Sequence, residues 1–503
     1  MLTRFDYAVI FLYFVLVAGI GWVARGRVKG LDDYFAGGHG VSWWMAGISH
    51  HVSGYSAFAF VGYAGLAYRV GFNVWTVFAL PCFFSMVAGA YIWAPRWVRL
   101  RVITPVEYLE ERFNNLVRQV IAWSGIAVKF VDEGTKLYSL AKVIRACTGL
   151  PLKGTIVGSG VVTVLYLLLG GLWAEVMTDL AQFIVQYSIT LLLAPVALAA
   201  VGGWGRLWTG PKATPFQFFS PAFPPSRLSV FFFVVLLSYN GGTWGLAQRF
   251  YSMGKPAEAK KAALLSAALY LLYPLALYIP VWAAPVLLEE VQDPEMAYIA
   301  VAQHLLPQIA PGLLGLMVAA MFAATMSMVD SNLNALAAVF TKDIYARTLN
   351  RTAPEGQLMN VGLLSTVAFG AVAIACGLVT DRLGGAFKTM IDWYAAVLGP
   401  VSIPLLFGML IPRTTWRGAL LSWLGGFAAF VVFKYWATEA VCLALFGEAP
   451  GEALAWTVTT GAELGIAFAI FCLEGFIGER TPEERKRVQD LFDRLTGRTG
   501  EAT

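Results

Sequence analysis

The sequence predicts an all-α polytopic membrane protein with about 13 transmembrane helices, and three observations carry that expectation. The 503 residues are 58% hydrophobic and only 13% charged, where a soluble protein carries about a quarter charged residues. Apolar runs of roughly 20 residues, long enough to cross about 30 Å of hydrocarbon, recur along the whole chain. Between them, loops on one side hold most of the Lys and Arg, the bias expected of cytoplasmic loops.

In order, the predicted spans are 5–24, 43–68, 73–94, 117–148, 152–172, 173–201, 228–251, 261–288, 311–340, 357–380, 391–411, 417–437 and 455–476. The first run is followed, not preceded, by Arg25, Arg27 and Lys29. That order opposes a cleaved signal peptide and places the N-terminus outside and the C-terminus in the cytoplasm. The basic cytoplasmic segments are then RGRVKG, the stretch from Pro95 to Asn115, QRFYSMGKPAEAKK, TKDIYARTLNR, PRTTWR and the tail from Glu479; LEEVQDPE and Glu439 to Glu452 are acidic outside loops. The stretch Pro95 to Asn115 reads as a short surface helix. Gly202 to Arg227, rich in Pro, Gly and Trp, reads as an outside loop, and the alternating charges of the tail read as a solvated helix. The formal charge of +5 belongs to one membrane side and is not a nucleic-acid signal. Cys82, Cys147, Cys376, Cys442 and Cys472 lie in or beside apolar spans without metal-ligand spacing, as buried free thiols do.

Two spans are interrupted. GISHHVSGYSAFAFVG (Gly47 to Gly62) and LSYNGGTWGLAQRF (Leu237 to Phe250) place glycines and polar side chains near mid-membrane. Backbone groups freed in lipid cost several kcal/mol each unless they line a cavity or bind something. Matching breaks in two halves are the best sequence pointer to a transporter site. Each break opens a block of five spans, which implies an inverted five-plus-five repeat. The expected organisation is an outer helix and loop (1–42), a first repeat (43–201), an outside loop (202–227), a second repeat (228–412), two further helices (413–476) and a tail (477–503). The sequence carries no phosphate-cradling glycine loop, Walker motif or Ser/His/Asp set, so an enzyme is not expected.

Four motifs add a resemblance. ATMSMVDSNLNALAAVFTKDIY (Ala324 to Tyr345) resembles a signature of the sodium:solute symporter family, and GGLWAEVMTDLAQFIVQ (Gly170 to Gln186) resembles that family's other signature. DDYFAGGHGVSWWMAGIS (Asp32 to Ser49) and QRF (Gln248 to Phe250) are similar to its first loop and the end of its sixth core helix. The resemblance covers about residues 5 to 440. It implies a LeuT-type core with one helix before it and two after. It also implies a cation site between the first and eighth core helices, with backbone carbonyls around Ser49, Val52 and Tyr55 facing Ala324, Ser327 and position 328. Broken helices expose such carbonyls, and sodium favours hard oxygens. The sequence departs from the family at Met328, where a second hydroxyl is usual; a thioether is a poor ligand for a hard cation.

Asp179 is an intramembrane carboxylate, functional by default, and the resemblance places it near the ion's inner exit; hydration at a helix end is the other reading. Ser327, Asp330, Ser331, Asn332 and Asn334 either bind an ion or hydrogen-bond between helices, with Ser327 favoured for the ion and the asparagines for packing. His50 and His51, adjacent and therefore divergent on a helix, are a poor metal pair. They contact solute, carry a proton or cap the break. Lys129, Asp132, Glu133 and Lys136 share one face of a helix and form either an internal ion-pair network or the wall of a site for a charged solute. Ser56, Asn73, Asn240, Thr243 and Trp244 complete the candidate solute-binding set.

The function expected is a secondary active transporter in the inner membrane of a bacterium. Its partners are the lipid bilayer, a small polar or charged solute (a sugar, sugar acid, amino acid or relative) and a sodium ion, with no nucleic acid. The alternatives are the same fold coupled to protons or to no ion, because of Met328, and a solute-sensing receptor acting through a partner.

Overall fold

A computed structural model describes residues 2–168, 171–209, 212–390, 395–447 and 449–498. The start of the span expected at 391–411, the first residue of the 170–186 motif and the last of the tail fall outside the described residues.

The described chain is helical throughout, with a single isolated bridge between Ser220 and Phe223. The helices are α1 (Arg4–Arg25), α2 (Leu31–Ala36), α3 (Trp43–Val52), α4 (Ala57–Val70), α5 (Asn73–Ile92), α6 (Ala94–Leu100), α7 (Tyr108–Arg112), α8 (Asn115–Thr148), α9 (Leu152–Leu167), α10 (Gly171–Val201), α11 (Pro225–Leu237) and α12 (Trp244–Tyr251). They continue as α13 (Pro256–Leu287), α14 (Ala297–Ile309), α15 (Leu313–Val339), α16 (Glu355–Thr380), α17 (Ala386–Thr389), α18 (Ala395–Phe407), α19 (Trp416–Val432), α20 (Thr438–Phe446), α21 (Glu452–Ile477) and α22 (Pro482–Thr496). Eight among the described residues are long and apolar enough to cross a membrane, and two bent pairs raise that to ten.

The interruptions fall where the glycine-rich polar stretches predict them. Between α3 and α4 the chain unwinds at 53–56, and Ser56 starts α4 afresh by accepting from the Phe58 amide at 3.1 Å, an N-cap. Between α11 and α12, Gly241 takes φ 150°, open to glycine alone at no steric cost, and the axis turns by 54°. Elsewhere the ends are ordinary: Asn114 caps α8, and Gly149 closes it in the left-handed conformation. Pro274, Pro280 and Pro285 sit inside α13.

Two outer elements differ from the sequence reading. The surface segment after α5 is two helices, α6 and α7, because Arg101 adopts a left-handed conformation between them. The tail helix α22 is not solvated on all sides. Val488, Leu491 and Leu495 are buried, Arg99 donates to the Leu495 carbonyl and Arg487 to the Phe113 carbonyl. Its charges alternate around an apolar stripe at i, i+3 and i+7, which docks on α6 and α7.

Candidate functional site: two buried charge clusters at the helix breaks

Helix α15 organises the site through two adjacent rows. Ser327 and Ser331, four apart, share one face; Met328 and Asn332, each one residue on, share a face turned by about 100°. Ser327 donates to Asp179 Oδ1 at 2.5 Å and pairs with Ser53 Oγ at 3.0 Å; Ser331 pairs with Ser53 at 3.2 Å. Ser49 also donates to Asp179. The unwound stretch at 53–56, α10 and α15 therefore converge on one carboxylate.

The cation in this cluster is Arg249 of α12, itself fully buried. Its Nε donates to Ser49 Oγ at 2.9 Å, and Nη2 to Ser331 at 2.6 Å, Ser53 at 3.1 Å and Asp179 Oδ2 at 3.2 Å. Nη1 donates to Glu175 Oε2 at 3.3 Å and to the Gly245 carbonyl at 3.1 Å. Glu175 and Asp179 lie four apart on one face of α10. Arg249, Glu175 and Ser53 were missed as site residues from sequence. The available signal was that Arg249 and Glu175 are intramembrane charges inside the quoted motifs.

The second row faces a different cluster. Asn332 donates to Glu133 Oε1 at 2.6 Å and accepts from the Gly245 amide at 3.3 Å, so it ties α8, α12 and α15 together. Lys136 donates to Asp132 Oδ2 at 2.8 Å and Glu133 Oε1 at 2.7 Å. Lys129 contacts neither carboxylate within salt-bridge range; its amine donates to the Gly242 carbonyl at the second break at 2.5 Å and lies 5.0 Å from the Trp244 ring centroid. Asp132, Lys136, Ser56, Thr243 and Met328 line one cavity between the two breaks. The thioether of Met328 thus belongs to the cavity wall, while Ser327 faces Asp179.

The remaining candidates divide. His50 pairs with the Tyr239 carbonyl at 3.2 Å and His51 with the Tyr187 hydroxyl at 2.9 Å, in the divergent directions that adjacency requires. His51 and Tyr55 pack with Tyr270 and Tyr273 in an aromatic group. The carbonyls of Ser49 and Val52 accept the Ser53 and Tyr55 amides at 2.8 and 3.0 Å, each keeping a second lone pair. Ala324 is fully buried on α15, and its neighbour Thr325 accepts the first amide of α4 at 3.0 Å. Asn240 is bound to Ser85 and the Leu236 carbonyl. Asn73 lies apart, holding Phe218 and Ser220 of the 202–224 loop.

Beyond the cavity residue Lys136, α8 makes contacts with other elements. Lys142 donates at 2.7 Å to both Asp293 and Glu295, and Tyr138 donates to Asp381 at 2.7 Å.

The chain is similar to known proteins along most of its length. The chain is 28% identical to the sodium/glucose cotransporter of Vibrio parahaemolyticus over 470 residues, 86% of each chain. It is 28% identical to the human sodium-coupled monocarboxylate transporter 1, over 84% of this chain and 72% of that one. The solved substrate-bound outward-open state of a Na+-coupled sialic acid symporter superposes with a TM-score of 0.79 at 20% identity, covering 95% of this chain and 98% of that one. The fold is therefore that of the LeuT-type transporters. The profile of the sodium:solute symporter family matches residues 34–426: the chain belongs to the sodium:solute symporter family.

Proposed function

We propose that the chain imports a small polar or charged solute by alternating access, coupled to sodium, with the ion held by the oxygens that converge on Asp179 and the solute held in the cavity beside Lys136. The observation that carries this reading is the meeting of Ser49, Ser53 and Ser327 with Asp179 where the first broken span unwinds. Hydroxyls, a carboxylate and nearby carbonyls are the hard oxygen donors that a sodium ion takes. In the conformation described, the guanidinium of Arg249 supplies the positive charge these oxygens need. Sodium and Arg249 are then alternative cations for one set of oxygens. An ion that displaces Arg249 from Ser49, Ser53 and Asp179 breaks its bonds to α3 and the first break and one of its two ion pairs to α10, and that differential binding between states is what coupling requires.

This reading counts thirteen spans: the eight long helices, α8 and α9 taken separately, the broken pairs α3–α4 and α11–α12, and α18. It places them as a five-plus-five repeat from 43 to 412, flanked by one helix and by two, with the tail in the cytoplasm of a bacterial inner membrane. The basic loops support that orientation.

Met328 and the presence of Arg249 among the oxygens favour one rival, the same fold running on a proton or on no ion. Thermal stability of the purified protein, titrated with NaCl against choline chloride at matched ionic strength, separates the two. A ligand of the folded state raises stability with its occupancy. A saturable, sodium-specific rise that is lost in Ser327→Ala is expected; equal curves in the two salts would overturn sodium coupling at this site.

A further inference from the structure

The charges that reach the cavity define its solute more narrowly. We propose that the site takes a zwitterion with an apolar side chain, a neutral amino acid in chemical class, its ammonium on Asp132 and its carboxylate on Lys136. This rests on the transporter reading above and adds the solute class.

Of the four charges on this face of α8, Asp132 and Lys136 line the cavity; Lys129 and Glu133 do not. Glu133 is fixed from behind by Asn332 and, with Lys136, forms a local pair. Lys136 spends two of its three N–H groups on Asp132 and Glu133, leaving one for a solute carboxylate. Asp132 uses Oδ2 in that bond, which leaves Oδ1 for a solute ammonium. A zwitterion laid antiparallel to the Asp132–Lys136 pair completes a square of alternating charges, and neither protein charge loses a partner.

The free valences of the pair decide among the classes. A bare carboxylate would meet Lys136 and leave Asp132 Oδ1 without a donor, and a bare amine would meet Asp132 and leave the third N–H of Lys136 without an acceptor. A sugar meets a different obstacle, because its hydroxyls need partners and most of the cavity's own hydroxyls are engaged. Ser238 and Thr243 bond each other at 2.8 Å, Thr135 donates to the Val131 carbonyl at 2.9 Å, and Ser56 accepts the Phe58 amide. Much of the rest of the wall is apolar, with Phe58, Phe78, Phe231, Met328 and Met390 beside the rings of Tyr63 and Tyr239, a surface for a hydrocarbon or aromatic side chain.

The test is thermal stabilisation of the full chain in NaCl by each neutral proteinogenic L-amino acid. For the best of them the analogue lacking the carboxylate and the analogue lacking the amine are added, with D-glucose as the polyol. At least one amino acid is expected to stabilise saturably, and each truncated analogue to bind about tenfold more weakly or worse, the size of one lost charge-assisted hydrogen bond. Asp132→Asn is expected to lose the preference for the zwitterion over the amine-free acid while keeping the sodium-specific rise. Stabilisation by glucose or by an acid with no amino acid active overturns the proposal. So does a sodium response with no amino acid active. Absence of a sodium response in the wild-type chain strikes the sodium coupling of the reading above instead, which keeps the two failures apart.

Discussion

The two clusters at the site share one electrostatic unit, a cation held between two carboxylates, built in two ways. Lys136 sits between Asp132 and Glu133 of its own helix. Arg249 sits between Glu175 and Asp179, which belong to a different helix. The first unit closes within about one helical turn and survives any rigid movement of α8. The second is a clamp between α12 and α10, with Ser49, Ser53 and Ser331 drawn in from α3, the first break and α15. Moving any one of these elements changes its energy. A local unit suits a fixed recognition surface; a clamp spread over four helices and a break suits a switch.

Breaking the clamp should therefore do the greatest damage. Asp179→Ala leaves Arg249 buried with Glu175 as its remaining ion-pair partner and strips Ser49 and Ser327 of their acceptor. Removing one side of a buried pair costs about 3–5 kcal/mol. The melting temperature should fall accordingly, the sodium-specific stabilisation should vanish, and uptake into proteoliposomes should drop to background. Normal sodium-driven uptake in this variant would show that the clamp is a structural tie alone.

Lys136→Met breaks the local unit and is expected to cost somewhat less, about 3 kcal/mol, since Asp132 retains some access to the cavity. Its signature should be opposite in kind: solute binding lost, sodium response kept. Adding Glu133→Gln should recover stability without recovering solute binding. Loss of both responses together in Lys136→Met would erase the distinction between fixed surface and switch.

How far the sequence foretold these units follows the same division. The faces of α8 and α15 were legible because helical periodicity alone sets which residues share a side, and the spacing of Lys129, Asp132, Glu133 and Lys136 was enough to join most of them. Even there, Lys129 escaped. Its partners are the Gly242 carbonyl and the Trp244 ring, over a hundred positions away in sequence, and only a structure brings them together. The clamp was legible only in pieces. Asp179 and Ser327 stood out as polar residues in apolar spans, but their meeting with Arg249 depends on how α3, α10, α12 and α15 pack. The breaks at 53–56 and 238–242 were visible because glycines clustered with polar residues weaken a helix inside a span, and the backbone they free is tolerated only against protein or a cavity. The docking of α22 was hidden behind its charges, since three apolar residues in a charged helix do not say what they face.

Arg249→Lys sharpens the comparison from within the clamp. Lysine keeps the charge but not the fork that reaches Ser49, Ser53, Ser331 and both carboxylates at once. About 2 kcal/mol of stability should be lost, the scale of one or two charge-assisted bonds. Because the competing cation is weakened, sodium should stabilise this variant at lower concentration than it does the wild type. A higher concentration requirement would mean that Arg249 assists the ion rather than alternating with it.

The smallest expected effect lies further along α8, beyond the cavity. Lys142 repeats the motif between Asp293 and Glu295, but at the rim, where its side chain is 16% exposed and that of Asp293 46%. Such pairs contribute about 0–1 kcal/mol, so Lys142→Ala should barely move the melting temperature. Its contacts exist only while α8 and the segment before α14 are together, so even this small energy biases the balance between closed and open at that end. A cysteine placed at Thr135, on the cavity wall, should react faster with a membrane-impermeant thiol reagent in the Lys142→Ala background, by about fivefold if roughly 1 kcal/mol is released. The buried units hold their elements through energies that one substitution makes visible in stability. The rim unit acts through a difference too small to melt the protein, which only a measurement of accessibility can read.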